Sequence, residues 1–167
     1  MGVEPTPGEG APLDAHAELP VDPDIVRPLH WQPSAMACVL VGGAAGTGLR
    51  YWVEELLPAV GAEWPWGTFL VNLLGAFILG FLLEGLALLG DDAGWRRRAR
   101  LLLGTGFCGS FTTYSSFALE ISLLGRDGAV PLAIGYGVAS VVIGVMCAWL
   151  GIAASGAMLR RRRGEVS

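Results

Sequence analysis

The chain has 167 residues and 17.5 kDa, with 53% hydrophobic and only 16% charged residues, where an average soluble domain carries about 25% charged. With 25 glycines and a mean hydropathy of +0.53, this composition excludes a soluble enzyme and a chain disordered throughout. It predicts a small, polytopic, helical membrane protein. The net charge of −4 hides an asymmetry: residues 1–33 hold six acids against Arg27, while the remainder holds nine acids and ten arginines, with no lysine. The arginines gather at segment ends rather than along one helix face, which argues against nucleic-acid binding.

Residues 1–33 read as a disordered acidic tail. Pro5, Pro7, Pro12, Pro20, Pro23, Pro28 and Pro33 alternate with acids there, and such a composition cannot bury a core. The tail lacks the basic start and apolar stretch of a signal peptide, and His16 and His30 within it have no assigned task. Four apolar segments follow, at 34–57, 67–90, 99–124 and 129–159, each long enough for the ~20 helical residues that cross a bilayer. Residues 34–159 thus form a predicted transmembrane domain of four helices, and 160–167 a basic cytoplasmic C-terminus. Trp31, Trp52, Trp64, Trp66 and Trp95 mark its interfaces. The side that carries both termini receives Arg27, Arg96, Arg97, Arg98, Arg100 and the four arginines at 160–163. The opposite side receives only Arg50 and Arg126, so the positive-inside rule predicts both termini in the cytoplasm. Cys38, Cys108 and Cys147 fall in apolar stretches without metal-site spacing, and read as small membrane-buried packers.

A polar group in hydrocarbon needs a partner, a cavity or a task. Asn72 shares a helix face with Thr68, Gly75 and Leu79; it is either glue between helices or a pore-lining donor. The third segment is the unusual one. Between positions 104 and 117 it holds Thr105, Ser110, Thr112, Thr113, Ser115 and Ser116, together with Gly104, Gly106, Gly109 and the hydroxyl of Tyr114. This pattern predicts a helix broken mid-membrane, whose freed carbonyls face protein or water and can hold a hard cation such as Na⁺. The alternative is a tightly packed helix whose hydroxyls bond back to their own carbonyls. Tyr114 and Phe117, three residues apart, share a face; the pair either packs or turns its positive ring edges to an anion. Tyr136 and Ser140 form an i, i+4 pair on the fourth segment. Close helix approach is predicted at Gly42/Gly46, Ser140/Gly144 and Gly144/Ala148. Arg50 and Glu84 lie near segment ends; Glu84 reads as snorkelling, while Arg50 either snorkels or has a task of its own. Glu120, one turn past Phe117 and Ser116, has either a vestibule or partner role or snorkels.

Three stretches carry a resemblance. Gly46-Thr-Gly-Leu-Arg-Tyr51, Gly67-Thr-Phe-Leu-Val-Asn-Leu-Leu-Gly75 and Gly106-Phe-Cys-Gly-Ser-Phe-Thr-Thr-Tyr-Ser-Ser-Phe117 resemble, in order, the three signatures of the Fluc/CrcB fluoride channels. The resemblance covers 35–159 and leaves the tail outside. It implies a fluoride-selective channel that passively exports cytoplasmic fluoride. It also implies an antiparallel, dual-topology dimer with two pores along the subunit interface and a structural Na⁺ at the centre. Carried over by position, Asn72 matches the pore asparagine, and Tyr114 and Phe117 the two aromatics of the fluoride path. Ser115 and Ser116 match the hydroxyls beside them, Tyr136 and Ser140 the polar residues of the fourth span, and Arg50 the basic residue of the first motif. The carbonyls of Gly109 and Thr112 match the Na⁺ ligands. One departure stands out: the first aromatic is usually Phe and here is Tyr114.

Fluoride is small and strongly hydrated, so its path needs amide, hydroxyl and ring-edge donors in series rather than a catalytic base. The sequence offers no nucleophile–base pair, metal cluster or phosphate loop, which argues against an enzyme. A small proton-coupled multidrug transporter needs a carboxylate deep in its first span, and 34–49 contains none. A structural or assembly membrane protein would not need the hydroxyl-rich third segment. The arginine bias should fix one orientation, so the antiparallel architecture calls for a homologous, oppositely biased subunit; the alternative is a homodimer.

Overall fold

The computed structural model describes residues 32–59 and 61–164, with side chains to residue 161. The acidic tail up to residue 31, including Arg27, His16, His30 and Trp31, lies outside these residues, as do 165–167. Every regular element among the described residues is a helix.

Helix α1 (Pro33–Leu56) begins with Pro33 in its first turn, where a missing N–H costs no hydrogen bond. After the Trp64-Pro65-Trp66 turn, α2 (Trp66–Leu88) runs back. The third run is composite. Helix α3 (Gly94–Ala99) passes into a π-helical stretch, Arg100–Cys108, then α4 (Gly109–Phe111). Thr112 and Thr113 are extended, and the chain resumes as α5 (Tyr114–Arg126). The expected break is therefore present, and it falls on two threonines. The glycines at 104 and 106 lie in the π-helical stretch instead. Helix α5 closes with a Schellman motif: Ala129 N–H bonds to the Leu124 carbonyl and Gly128 N–H to that of Gly125, with Gly128 at φ 80. Helix α6 (Val130–Gly164) continues five residues past the expected end of the fourth segment. Helix α2 and residues 130–161 of α6 are long and apolar enough to cross a bilayer, as suits a membrane location.

Glycines set the packing. Helix α1 lies along the π-helical stretch, and α2 along α6. A Cβ at Gly42 would collide with the Leu102 carbonyl, and one at Gly46 with the Phe107 carbonyl; both obstacles are backbone. Gly80 likewise abuts the Ala148 carbonyl, and Gly151 the Phe77 carbonyl. The Gly42/Gly46 expectation thus matches a close helix contact. On α6 the close approach belongs to Ala148 and Gly151, while Gly144 makes only an ordinary contact with Leu73. Phe69, Leu124, Ala133 and Tyr136 form the core between α2, α5 and α6. Cys108 is buried, Cys38 and Cys147 are half-buried, and all three are free thiols.

Candidate functional site

The site is built where α2 meets the break. Thr112 (φ −76, ψ 153) and Thr113 (φ −143, ψ 117) interrupt the helical ladder, and the backbone groups released there need partners. Asn72 supplies two. Its Nδ2 donates to the Thr113 carbonyl at 3.1 Å, and its Oδ1 accepts from the Thr113 N–H at 2.8 Å. A primary amide can satisfy both a donor and an acceptor in this way, whereas a carboxylate or a hydrocarbon cannot. Gly75, one turn further on, allows the approach: a Cβ there would strike the Thr112 methyl group.

The threonine hydroxyls finish the joint. Thr113 Oγ1 is the N-cap of α5, accepting from Ser116 N–H at 3.1 Å. It also donates to Ser116 Oγ at 3.2 Å and lies 3.1 Å from Ser115 Oγ. Thr112 Oγ1 donates to the Cys108 carbonyl at 2.9 Å. The hydroxyl-rich run is therefore broken, as the first reading expects, and the Thr112 hydroxyl returns to a carbonyl of its own helix. Because Thr113 N–H is committed to Asn72, the Gly109 carbonyl lacks the donor that a continuous helix would bring to it. The Thr112 carbonyl is turned out of the helix by its ψ. Two backbone oxygens of this kind suit a hard cation. Among the described residues no group of three or more His, Cys, Asp or Glu could hold a metal.

Beside the joint lies an open pocket of about 270 Å³, lined by Asn72, Thr112, Thr113, Tyr114, Phe117, Ser140 and Val141. Tyr114 is 80% exposed. Its ring centroid lies 6.1 Å from that of Phe117, which in turn lies 5.5 Å from that of Tyr136. Ser140 Oγ is buried and faces the Tyr136 hydroxyl, whose own proton goes to Glu120.

Phe117 links the pocket to a second cluster. Tyr136, fully buried, donates to Glu120 Oε2 at 2.7 Å, and Thr68 Oγ1 donates to Glu120 Oε1 at 2.6 Å. Glu120 thus takes the partner role, not the snorkelling one. Thr68 was legible only as a neighbour of Asn72 on one helix face; its spacing one turn before Asn72 was the available signal. Thr113, the residue that Asn72 holds, carried no signal beyond its place in the hydroxyl run. The structure brings together Asn72, Tyr114, Phe117 and Ser140, with Tyr136 and Glu120 behind them. Ser115 and Ser116 join through Thr113 and do not line the pocket; Ser116 instead lines a cavity of about 260 Å³ with Glu54, Thr68 and Glu120. Arg50 sits one turn before Glu54 on α1 and lines neither space.

Comparison with known proteins bears on this geometry. The family model described as CrcB-like protein, Camphor Resistance (CrcB), matches residues 37–152, a range that contains the joint, the pocket and Glu120. A protein of Leifsonia xyli subsp. xyli named fluoride-specific ion channel FluC 2 is 44% identical over 82% of this chain and 93% of its own. Fluoride-specific ion channel FluC 1 of Cutibacterium acnes is 39% identical over 78% of this chain and 92% of its own. The protein named fluoride-specific ion channel FluC in Chlorobium phaeobacteroides is 40% identical over 71% and 91%.

Proposed function

The chain belongs to the CrcB family, and on that premise we propose that it is a fluoride-selective channel through which cytoplasmic fluoride leaves passively, with no covalent chemistry. One observation carries the reading: the Ser140 hydroxyl, the Tyr114 and Phe117 rings and the Asn72 amide surround a single pocket. A desolvated small anion needs donors and positive ring edges in series. Asn72 uses one Nδ2 proton on Thr113, which leaves its second proton for the ion. Ser140 offers its hydroxyl, Phe117 and Tyr114 their edges, and the Tyr136–Glu120–Thr68 cluster lies at the next station. Ser115 and Ser116 support the path through the Thr113 cap.

The same reading includes four membrane crossings with both termini in the cytoplasm, and a second subunit inserted the opposite way. The exposed Tyr114 rim supports such a partner, because four spans are too few to enclose a path alone. Na⁺, on the carbonyls of Gly109 and Thr112 from both subunits, would supply a fixed positive charge at the centre of the dimer. The arginine asymmetry favours a homologous partner over a second copy. If that is right, a C-terminal tag on the chain expressed alone is found on one side of the membrane only. A tag on both sides in similar amounts, with fluoride efflux from the single purified chain, establishes the homodimer instead.

The function is tested by anion efflux from liposomes that hold the purified protein with its partner. Fluoride is expected to leave and chloride to remain; equal release of both, or of neither, overturns the reading. Tyr114→Phe keeps the ring edge and removes one hydroxyl. Its flux is expected within about threefold of the unmodified protein, the scale of one neutral hydrogen bond. Abolished flux from a folded Tyr114→Phe protein would make the hydroxyl, and not the edge, the contact at this position.

A further inference from the structure

A cavity remote from the candidate path lies where α2 ends and α3 begins. It encloses about 310 Å³. Leu83, Leu86 and Ala87 of α2 line it from the apolar side, and Asp92, Arg96 and Arg100 from the polar side. Gly90, at φ 119, turns the chain at its edge in a conformation that favours glycine, with the Arg96 guanidinium beside it. Arg96 is held in place by Nε donating to the Asp91 carbonyl at 2.7 Å and Nη1 donating to the Leu89 carbonyl at 3.3 Å. No carboxylate pairs with it among the described residues. Arg100 is matched by Asp92, with Nε to Oδ1 at 3.1 Å, and the same carboxylate lies 4.0 Å from Arg97 outside the cavity. The cavity therefore keeps one uncompensated positive charge, on an oriented guanidinium, above an apolar floor. Trp95, 60% exposed in the same connection, is the residue type that settles at headgroup depth.

We propose that this cavity holds the headgroup of an anionic phospholipid, its phosphate between Arg96 and Arg100 and its first methylenes on Leu83, Leu86 and Ala87. The charge count sets the preference. A phosphodiester with a neutral headgroup matches the single free charge, whereas a choline headgroup brings its own cation toward two arginines. The site rests on the membrane location of the chain and is independent of which ion it conducts.

The test is lipid retention by the full-length protein, incubated with equal phosphatidylglycerol and phosphatidylcholine in detergent and analysed by native mass spectrometry. A preference of about fivefold for phosphatidylglycerol is expected, the scale of one arginine near a phosphate. Ala87→Glu places a carboxylate on the floor and leaves every arginine in place; it is expected to abolish the preference with an unchanged gel-filtration profile. Arg98→Gln removes a charge from the same helix, outside the cavity, and is expected to keep the preference. Retention by Ala87→Glu, or an equal loss in Arg98→Gln, overturns the site in favour of diffuse surface charge. Displacement of the lipid by millimolar inorganic phosphate overturns the lipid assignment in favour of a free-anion site.

Discussion

Asn72→Asp is expected to lower fluoride efflux by two to three orders of magnitude while the protein still reaches the membrane. The substitution is nearly isosteric, so its effect is chemical. Oδ1 can still accept from Thr113 N–H, but the group that donated to the Thr113 carbonyl becomes an acceptor facing an acceptor. That lost bond costs about 1–3 kcal/mol at the joint. A carboxylate on the pocket wall also repels a passing anion by about 4 kcal/mol at 4 Å, taking an effective dielectric of about 20, which is nearly a thousandfold. Flux from liposomes at matched protein density is the measurement. Normal flux would remove Asn72 from the pathway and leave it a purely structural tie.

The second large effect concerns folding. Gly46→Ala is expected to abolish the yield of folded protein, whereas Gly48→Ala, two residues along the same helix, is expected to be neutral or stabilising. Alanine is about 1 kcal/mol better than glycine inside a helix, so propensity favours both changes. Space decides between them. A Cβ at Gly46 meets the Phe107 carbonyl and comes within 3.0 Å of the Phe111 nitrogen, all backbone, while Gly48 has open space within 4 Å. Backbone cannot rotate aside, so α1 would have to move off the π-helical stretch, and overpacking of that kind costs several kcal/mol. Extraction yield and gel filtration of the two variants settle the matter; comparable profiles would mean that α1 can shift without loss.

Much of this was legible in the sequence, for reasons that differ by residue. The Gly42/Gly46 contact was legible because glycine spacing reports helix approach directly. The break was legible in the crowding of glycines and hydroxyls, and the resemblance placed it at Gly109 and Thr112, next to the observed Thr112–Thr113. Thr113 has the extended backbone that suits a threonine N-cap, but the side chain that holds its backbone comes from 41 residues away, and no local pattern encodes that partner. The π-helical stretch was not legible either. Its register is set by α1 packing against Leu102 and Phe107, and glycines serve an α-helix and a wider one alike. Glu120 was found as a polar residue in an apolar run, yet its two partners come from α2 and α6, so its role needed the tertiary arrangement. Gly151 was missed because its partner, the Phe77 carbonyl, carries no signature in sequence.

The tie between Asn72 and Thr113 also has a direction in time. Asn72 is synthesised 41 residues before Thr113, which at about 5–20 residues per second is a lead of roughly two to eight seconds. The residues of α1 and α2, the amide included, therefore leave the ribosome before those of the break. The partner of the break is thus already synthesised when Thr113 is added. A reordered gene in which residues 94–126 came first would have to release unpaired backbone into lipid before any partner existed.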